Sequence, residues 1–176
     1  MVYVYCLVPE RLKGKVLYPL NILKRKRPKI YRYEVKRYKS RKKVLKKRIP
    51  VFNCLWNDVL HFTPIHPSKI RKELKKAGAE VKKLKWFKIN AKRLDPRKTI
   101  IYLYKLKKNK KDFMSEDNFT KYNPEKLSKY NEVPEKTKRY YRQEVEKGKS
   151  PLRFHLTPHV LFRGNLDISK AKMIEV

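Results

Sequence analysis

Glycine is scarce in this chain, with 4 in 176 residues. That excludes phosphate cradles built from glycine: neither GxxxxGK(S/T) nor GxGxxG occurs, and no serine sits in a GxSxG elbow. Cysteine is scarcer still. Cys6 and Cys54 are too few for a disulfide framework and lack CxxC spacing. Both sit in apolar runs, so they read as buried thiols. His61 and His66 are separated by five positions that include Pro64, which is poor ligand spacing on any regular element, so no metal is expected. Long hydrophobic runs are also missing. The N-terminal MVYVYCLVPERLKG has no basic residue ahead of its apolar run. That run is about eight residues, too short for a secretory leader or a membrane span. The expectation is a soluble, cytoplasmic protein with no membrane partner.

Acidic residues are few as well: 16 against 49 lysines and arginines, for a net charge of +33. So large a field calls for anionic company, with nucleic acid or a nucleotide first among the candidates. The imbalance is uneven. Residues 1–111 hold 36 basic and 6 acidic side chains, and residues 112–176 hold 13 and 10. Hydrophobic residues make up 40% of the chain and aromatics 12%, enough for one domain over 1–176 with a proper core.

An apolar island organises the sequence. In IPVFNCLWNDVLHFTPIHPSK, residues 49–69, Asp58 is the one formal charge before Lys69. A segment this apolar belongs in a core. Upstream, VYVYCLV (2–8) is rich in β-branched and aromatic types and reads as a strand ended by Pro9. A short helix is expected to start at 17–20, with Pro19 in its first turn. Residues 24–48 form a basic helical segment, with 15 Lys or Arg and Glu34 as the one acid, inserted before a core strand at 59–63. Tyr31, Val35 and Tyr38 would give this helix one narrow apolar stripe.

Downstream, a helix is expected over 68–77 with Gly78 as its C-terminal cap. Strands follow at 86–89 and 99–104, joined through an Asp95–Pro96 turn, and then a basic loop at 105–111. Asn123 caps a short helix. A longer helix runs from Pro134 to Lys147 and stops at Gly148. Residues 152–164 read as a strand with a break at Pro158, then a turn at 165–167 and a strand at 171–176. About six strands and four to five helices without βαβ alternation give an α+β fold around a central, mostly antiparallel sheet.

One pattern occurs twice: His61–Phe62–Thr63–Pro64 and His155–Leu156–Thr157–Pro158. On a strand, residues i and i+2 share a face, so each motif would present an imidazole beside a hydroxyl. Two such pairs facing one cleft could place a general base and a general acid about a phosphodiester. The same residues on two core strands could instead bond backbone groups.

The two motifs resemble the 2H phosphoesterases, whose mark is a pair of His-x-Thr/Ser strands. That resemblance implies a phosphodiesterase on RNA ends or cyclic nucleotides, with His61 and His155 as acid and base and Thr63 and Thr157 holding phosphate oxygens. Pro158–His159–Val160 also fits that family's second context, but then Leu161 stands where a hydroxyl is needed.

A second resemblance covers more of the chain. The early strand VYCLV, a basic segment with Arg41, a strand running into the Thr63–Pro64 turn, and a penultimate strand from His159 followed by a short turn and a last strand resemble the ADP-ribosyltransferase-like fold, in particular the DarT-type DNA ADP-ribosyltransferases. This implies NAD as the cofactor, nucleic acid as the partner, and Tyr5, Arg41 and Asn57 as nucleotide contacts. The chain departs from that family at two points: Cys6 stands for its early histidine, and His159 for its catalytic glutamate.

The expected function is a nucleic-acid-directed, ADP-ribosyltransferase-like protein. The alternatives are a 2H-type phosphodiesterase and a non-enzymatic nucleic-acid binder. In each case Lys24, Arg25, Lys26, Arg27, Arg32, Lys36, Arg37, Lys42, Lys43, Lys107 and Lys108 are the expected phosphate contacts.

Overall fold

The computed structural model describes residues 1–105 and 114–176. Its strands are β1 (Tyr3–Leu7), β2 (Val16–Leu17), β3 (Arg48–Ile49), β4 (Cys54–Leu55), β5 (Leu60–Phe62), β6 (Lys85–Asn90), β7 (Thr99–Tyr102), β8 (Phe119–Lys121), β9 (His159–Phe162), β10 (Leu166–Asp167) and β11 (Lys172–Glu175). The α-helices are α1 (Leu20–Lys26), α2 (Pro28–Glu34), α3 (Pro67–Lys76) and α4 (Glu135–Glu146). The fold is α+β, and every strand pairing among the described residues is antiparallel. No helix among the described residues is long and apolar enough to cross a membrane.

Two sheets carry the architecture. One has the order β1-β6-β11 and the other β5-β9-β7-β8. They meet where Tyr5 and Thr63 exchange both backbone bonds, at 2.8 Å each. Strand β9 lies between β5 and β7, and all four of its residues are buried. Its apolar run Val160–Leu161–Phe162 is what a strand covered on both faces requires. Val160, Phe162, Phe62 and Ile101 face one core cluster, with Val4, Phe87 and Ile89 of the first sheet. Leu161 and Tyr102 face another, with Ile49, Trp56 and Val59. A third cluster (Ile65, Ile70, Leu74, Val133, Tyr141) packs α3 against α4. Each fully buried aliphatic side chain in these clusters contributes about 1.5–3 kcal/mol.

The sheet layout is richer than six strands. The short pairs β2–β10 and β3–β4 and the edge strand β8 add to the six expected, all of which are present. Leu166–Asp167, expected as part of a turn, pairs with Val16–Leu17. The first helix begins at Leu20, with Pro19 at its N-cap, because residues 16–17 are held in that pairing.

The basic stretch is not one helix. It breaks first at Arg27 (φ −146°, ψ 69°), since the ring of Pro28 pushes the preceding residue out of the α region. After α2 the chain tightens into 3₁₀ geometry over Val35–Lys46, kinked at Arg41 (φ −135°, ψ 41°). Lys39, Lys42, Lys43 and Lys46 repel one another at helical spacing, which disfavours a regular helix. The strand expected over 152–164 begins only at His159. Residues 153–157 form turns, with Leu156 at φ 60°, so His155 and Thr157 do not share a strand face.

Candidate functional site

A cleft of about 660 Å³ opens on the face of β5 and β9 that carries Leu161. That volume is in the range of small-molecule and cofactor sites. The antiparallel register sets its floor. His61 lies opposite Leu161, and Phe62 opposite Val160. Alternation therefore puts His61, Thr63 and His159 on one side, with the two imidazoles on a diagonal. Their ring centroids are 6.3 Å apart at 89°. Trp56 stands between them, 4.7 Å from His61 and 5.7 Å from His159. Tyr104 and His155 extend this wall, 6.2 Å apart, with Tyr104 5.6 Å from His159.

The other side of the cleft is the basic stretch. Leu20, Arg27, Glu34, Arg37, Arg41 and Lys47 all line it. Three contacts hold the stretch over the sheet. Asn21 donates to Asp58 Oδ1 at 2.7 Å, Trp56 N–H donates to the Lys47 carbonyl at 2.8 Å, and Tyr33 donates its hydroxyl hydrogen to Glu10. Asp58 also accepts from Leu55 N–H at 2.7 Å. The one charge of the apolar island is therefore spent on positioning.

Burial and charge tune the histidines. Desolvation lowers His61 to about 4, with Arg37 adding to the effect and the Trp56 carbonyl opposing it. Desolvation lowers His159 to about 3, followed by the neighbouring His61, His155 and Lys47. His155 is lowered mainly by burial and next by Lys47, against Glu144. Near neutral pH His61 and His159 are uncharged acceptors and donors, not imidazolium acids. Lys47 is lowered by burial and by Arg41. Burial pushes the Tyr104 hydroxyl up to about 12 and the Cys6 thiol up to about 12.

One polar group in the wall has no partner. The side-chain amide nitrogen of Asn57 is buried and unbonded, although Asn57 is only 2% exposed. A buried donor left open costs about 1–3 kcal/mol, so it marks a place where an acceptor fits. Among the described residues Glu34 is the one carboxylate lining the cleft; it is 7% exposed and paired with Arg37.

The expected site residues divide as follows. Tyr5, Arg41, Asn57, His61, Thr63, His155 and His159 all line this one cleft, as do Arg27 and Arg37. Thr157 does not. It is fully buried and donates its hydroxyl hydrogen to the Phe154 carbonyl at 2.9 Å. Thr63 accepts from Ile65 N–H at 3.2 Å. Lys24, Arg25, Lys26, Arg32, Lys36, Lys42 and Lys43 are exposed and lie outside the lining. Lys107 and Lys108 lie outside the described residues. Sequence reasoning missed Glu34, Lys47, Tyr104 and Arg153 as cleft residues, because no local pattern marks them and only the folded cleft brings them together. The repeated lowering of charge on the His residues had one legible sign: each sits in an apolar run. No group of three or more potential metal ligands occurs among the described residues.

No protein-family model, curated protein or solved structure matches this chain.

Proposed function

We propose that the cleft is a nucleotide site and that the protein is nucleic-acid-directed and ADP-ribosyltransferase-like, taking a dinucleotide of the size of NAD. The observation that carries this reading is the convergence of Tyr5, Arg41, Asn57, His61 and His159 on one cleft, although they are scattered from residue 5 to residue 159. The order of elements supports it. An early strand bonds to the strand that runs into the Thr63–Pro64 turn, and β9 is followed by the short β10 and then β11.

The side chains suit such a ligand. Arginines and Lys47 offer charge-assisted bonds to a pyrophosphate. The rings of Trp56 and Tyr104 offer faces for a base. The open amide of Asn57 suits a carbonyl or hydroxyl oxygen. His61 and His159, being neutral, can each take a proton from an attacking group. His159 stands where the resembled family has its glutamate, so carboxylate chemistry would fall to Glu34, which Arg37 already engages. The proposal is therefore nucleotide binding with a divergent catalytic group.

The phosphodiesterase reading has less support. It needs one protonated imidazole, while burial keeps His61 and His159 neutral, and it needs the Thr157 hydroxyl, which is bonded to Phe154.

The test is a melting curve with NAD, together with the mass of a short DNA and a short RNA after incubation with and without NAD. A ligand of the native state raises the melting temperature by mass action. A rise at millimolar NAD with an NAD-dependent mass gain is the expected result. No shift and no mass change would remove the transferase reading. Cleavage without NAD would establish the phosphodiesterase.

A further inference from the structure

Seven cations line the cleft: Arg11, Lys13, Arg27, Arg37, Arg41, Lys47 and Arg153. Two are engaged already. Arg37 is held by Glu34, and Arg11 lies 4.0 Å from the centre of the Tyr33 ring. The other five, Lys13, Arg27, Arg41, Lys47 and Arg153, have no carboxylate beside them among the described residues, and Arg41 lies 5.8 Å from the centre of the Tyr38 ring. Arg27, Arg41, Lys47 and Arg153 come from four separate places. Arg27 ends α1, Arg41 is the kink, Lys47 follows the 3₁₀ stretch, and Arg153 precedes the His155 turn. Burial disfavours the charge of Lys47, with Arg41 close enough to add to the effect, and burial also disfavours the charge of Arg153. Burial takes water from the charges of Lys47 and Arg153 without supplying a counter-ion, and an anion placed beside them stabilises that charge.

We propose that this cleft holds the terminal phosphomonoester of a nucleic-acid strand, clamped by Arg27, Arg41, Lys47 and Arg153, with the strand leaving over the exposed cations of residues 24–43. The inference rests on the nucleotide-cleft reading for its location, and adds the substrate class.

Two features select an end over an internal phosphate. A monoester concentrates about two charges on three terminal oxygens, whereas a diester carries about one. The cleft is also backed by the β5–β9 sheet, so a strand enters it by an end. Outside, Lys24, Arg25, Lys26, Arg32, Lys36, Lys42 and Lys43 offer a path for further phosphates. These exposed groups recognise any polyanion; the four inside recognise the end.

The experiment uses the full chain and one short single-stranded sequence in three forms, with a 5′-phosphate, a 3′-phosphate, or hydroxyls at both ends. Affinity is read by fluorescence anisotropy from a dye at the opposite end. One phosphorylated form is expected to bind about tenfold more tightly than the hydroxyl form, as charge-assisted contacts allow. Arg41→Gln and Arg153→Gln should each remove most of that preference, lowering the affinity of the phosphorylated form more than that of the hydroxyl form. Lys24→Gln should lower all three equally. Arg41 is exposed, so its variant keeps the test sound should the Arg153 variant fail to fold. Equal affinities for the three forms would overturn the proposal. Its failure is separable from that of the NAD reading: equal affinities alongside an NAD-induced melting shift sink only the terminal-phosphate site, and a phosphate preference without an NAD shift sinks only the dinucleotide.

Discussion

His61 donates its Nε2 hydrogen to the Trp56 carbonyl at 2.8 Å, while its ring lies 4.7 Å from the Trp56 ring. A carbonyl only accepts, so this bond fixes the tautomer of the neutral imidazole and leaves Nδ1 as its free acceptor. Substituting His61 by Phe keeps the ring packing and strands the carbonyl. We expect a loss of ~1–3 kcal/mol in a denaturant titration. His61→Gln, which can still donate, should lose less. Equal losses would show that packing alone matters there.

Stability should fall on acidification through the two central imidazoles. Both have folded values below their ordinary 6.5, so the unfolded chain binds protons first as pH drops. Their contribution is complete above 6.5 and is lost between 6.5 and about 4 for His61, and between 6.5 and about 3 for His159. Melting followed from pH 7.5 to 4.5 should drop by on the order of 5 °C or more from this source. The variant His159→Phe should flatten that slope. An unchanged slope would mean that other groups set it.

Asn57→Ala separates binding from folding. Its amide nitrogen makes no bond, so the variant should change stability by less than ~1 kcal/mol. Nucleotide affinity, followed by calorimetry, should fall about tenfold if the ligand supplies the missing acceptor. A large drop in stability with unaltered affinity would assign Asn57 to the core.

The exposed cations predict a salt signature. Replacing Lys24, Arg25 and Lys26 together by Gln should weaken single-stranded nucleic acid without regard to sequence. The slope of log affinity against log salt should shrink by about 2. A slope that stays the same would place the polyanion elsewhere on the surface.

The fold was legible wherever a local rule governed it. Tyr3–Leu7 follows a β-branched and aromatic run, Leu60–Phe62 and Lys172–Glu175 fall inside expected strands, and α3 and α4 end near Gly78 and Gly148, both at positive φ. The failures are long-range. Val16–Leu17 is a strand because Leu166–Asp167 lies beside it, which no window of sequence reveals. The His155–Thr157 motif matched a strand pattern, but Leu156 takes a left-handed conformation and the pattern breaks. In the basic stretch, the ring of Pro28 breaks the helix expected over 24–48. The site itself was half legible. Its histidines, Arg41 and Asn57 carried signals in sequence, while Lys47 and Arg153 gained meaning only from the cleft.

The bond pair between Tyr5 and Thr63 bears on how the molecule is made. Residue 5 emerges from a ribosome early, yet both main sheets wait for later partners. Strand β5 has its neighbour only once residue 162 exists, and β6 has its second neighbour only once residue 175 does. At typical synthesis rates that interval is several seconds or more. Throughout it the basic stretch is present without the wall it covers. The nascent chain would thus be a loose polycation first and a walled cleft last, so any discrimination among anions waits for the C-terminal strands.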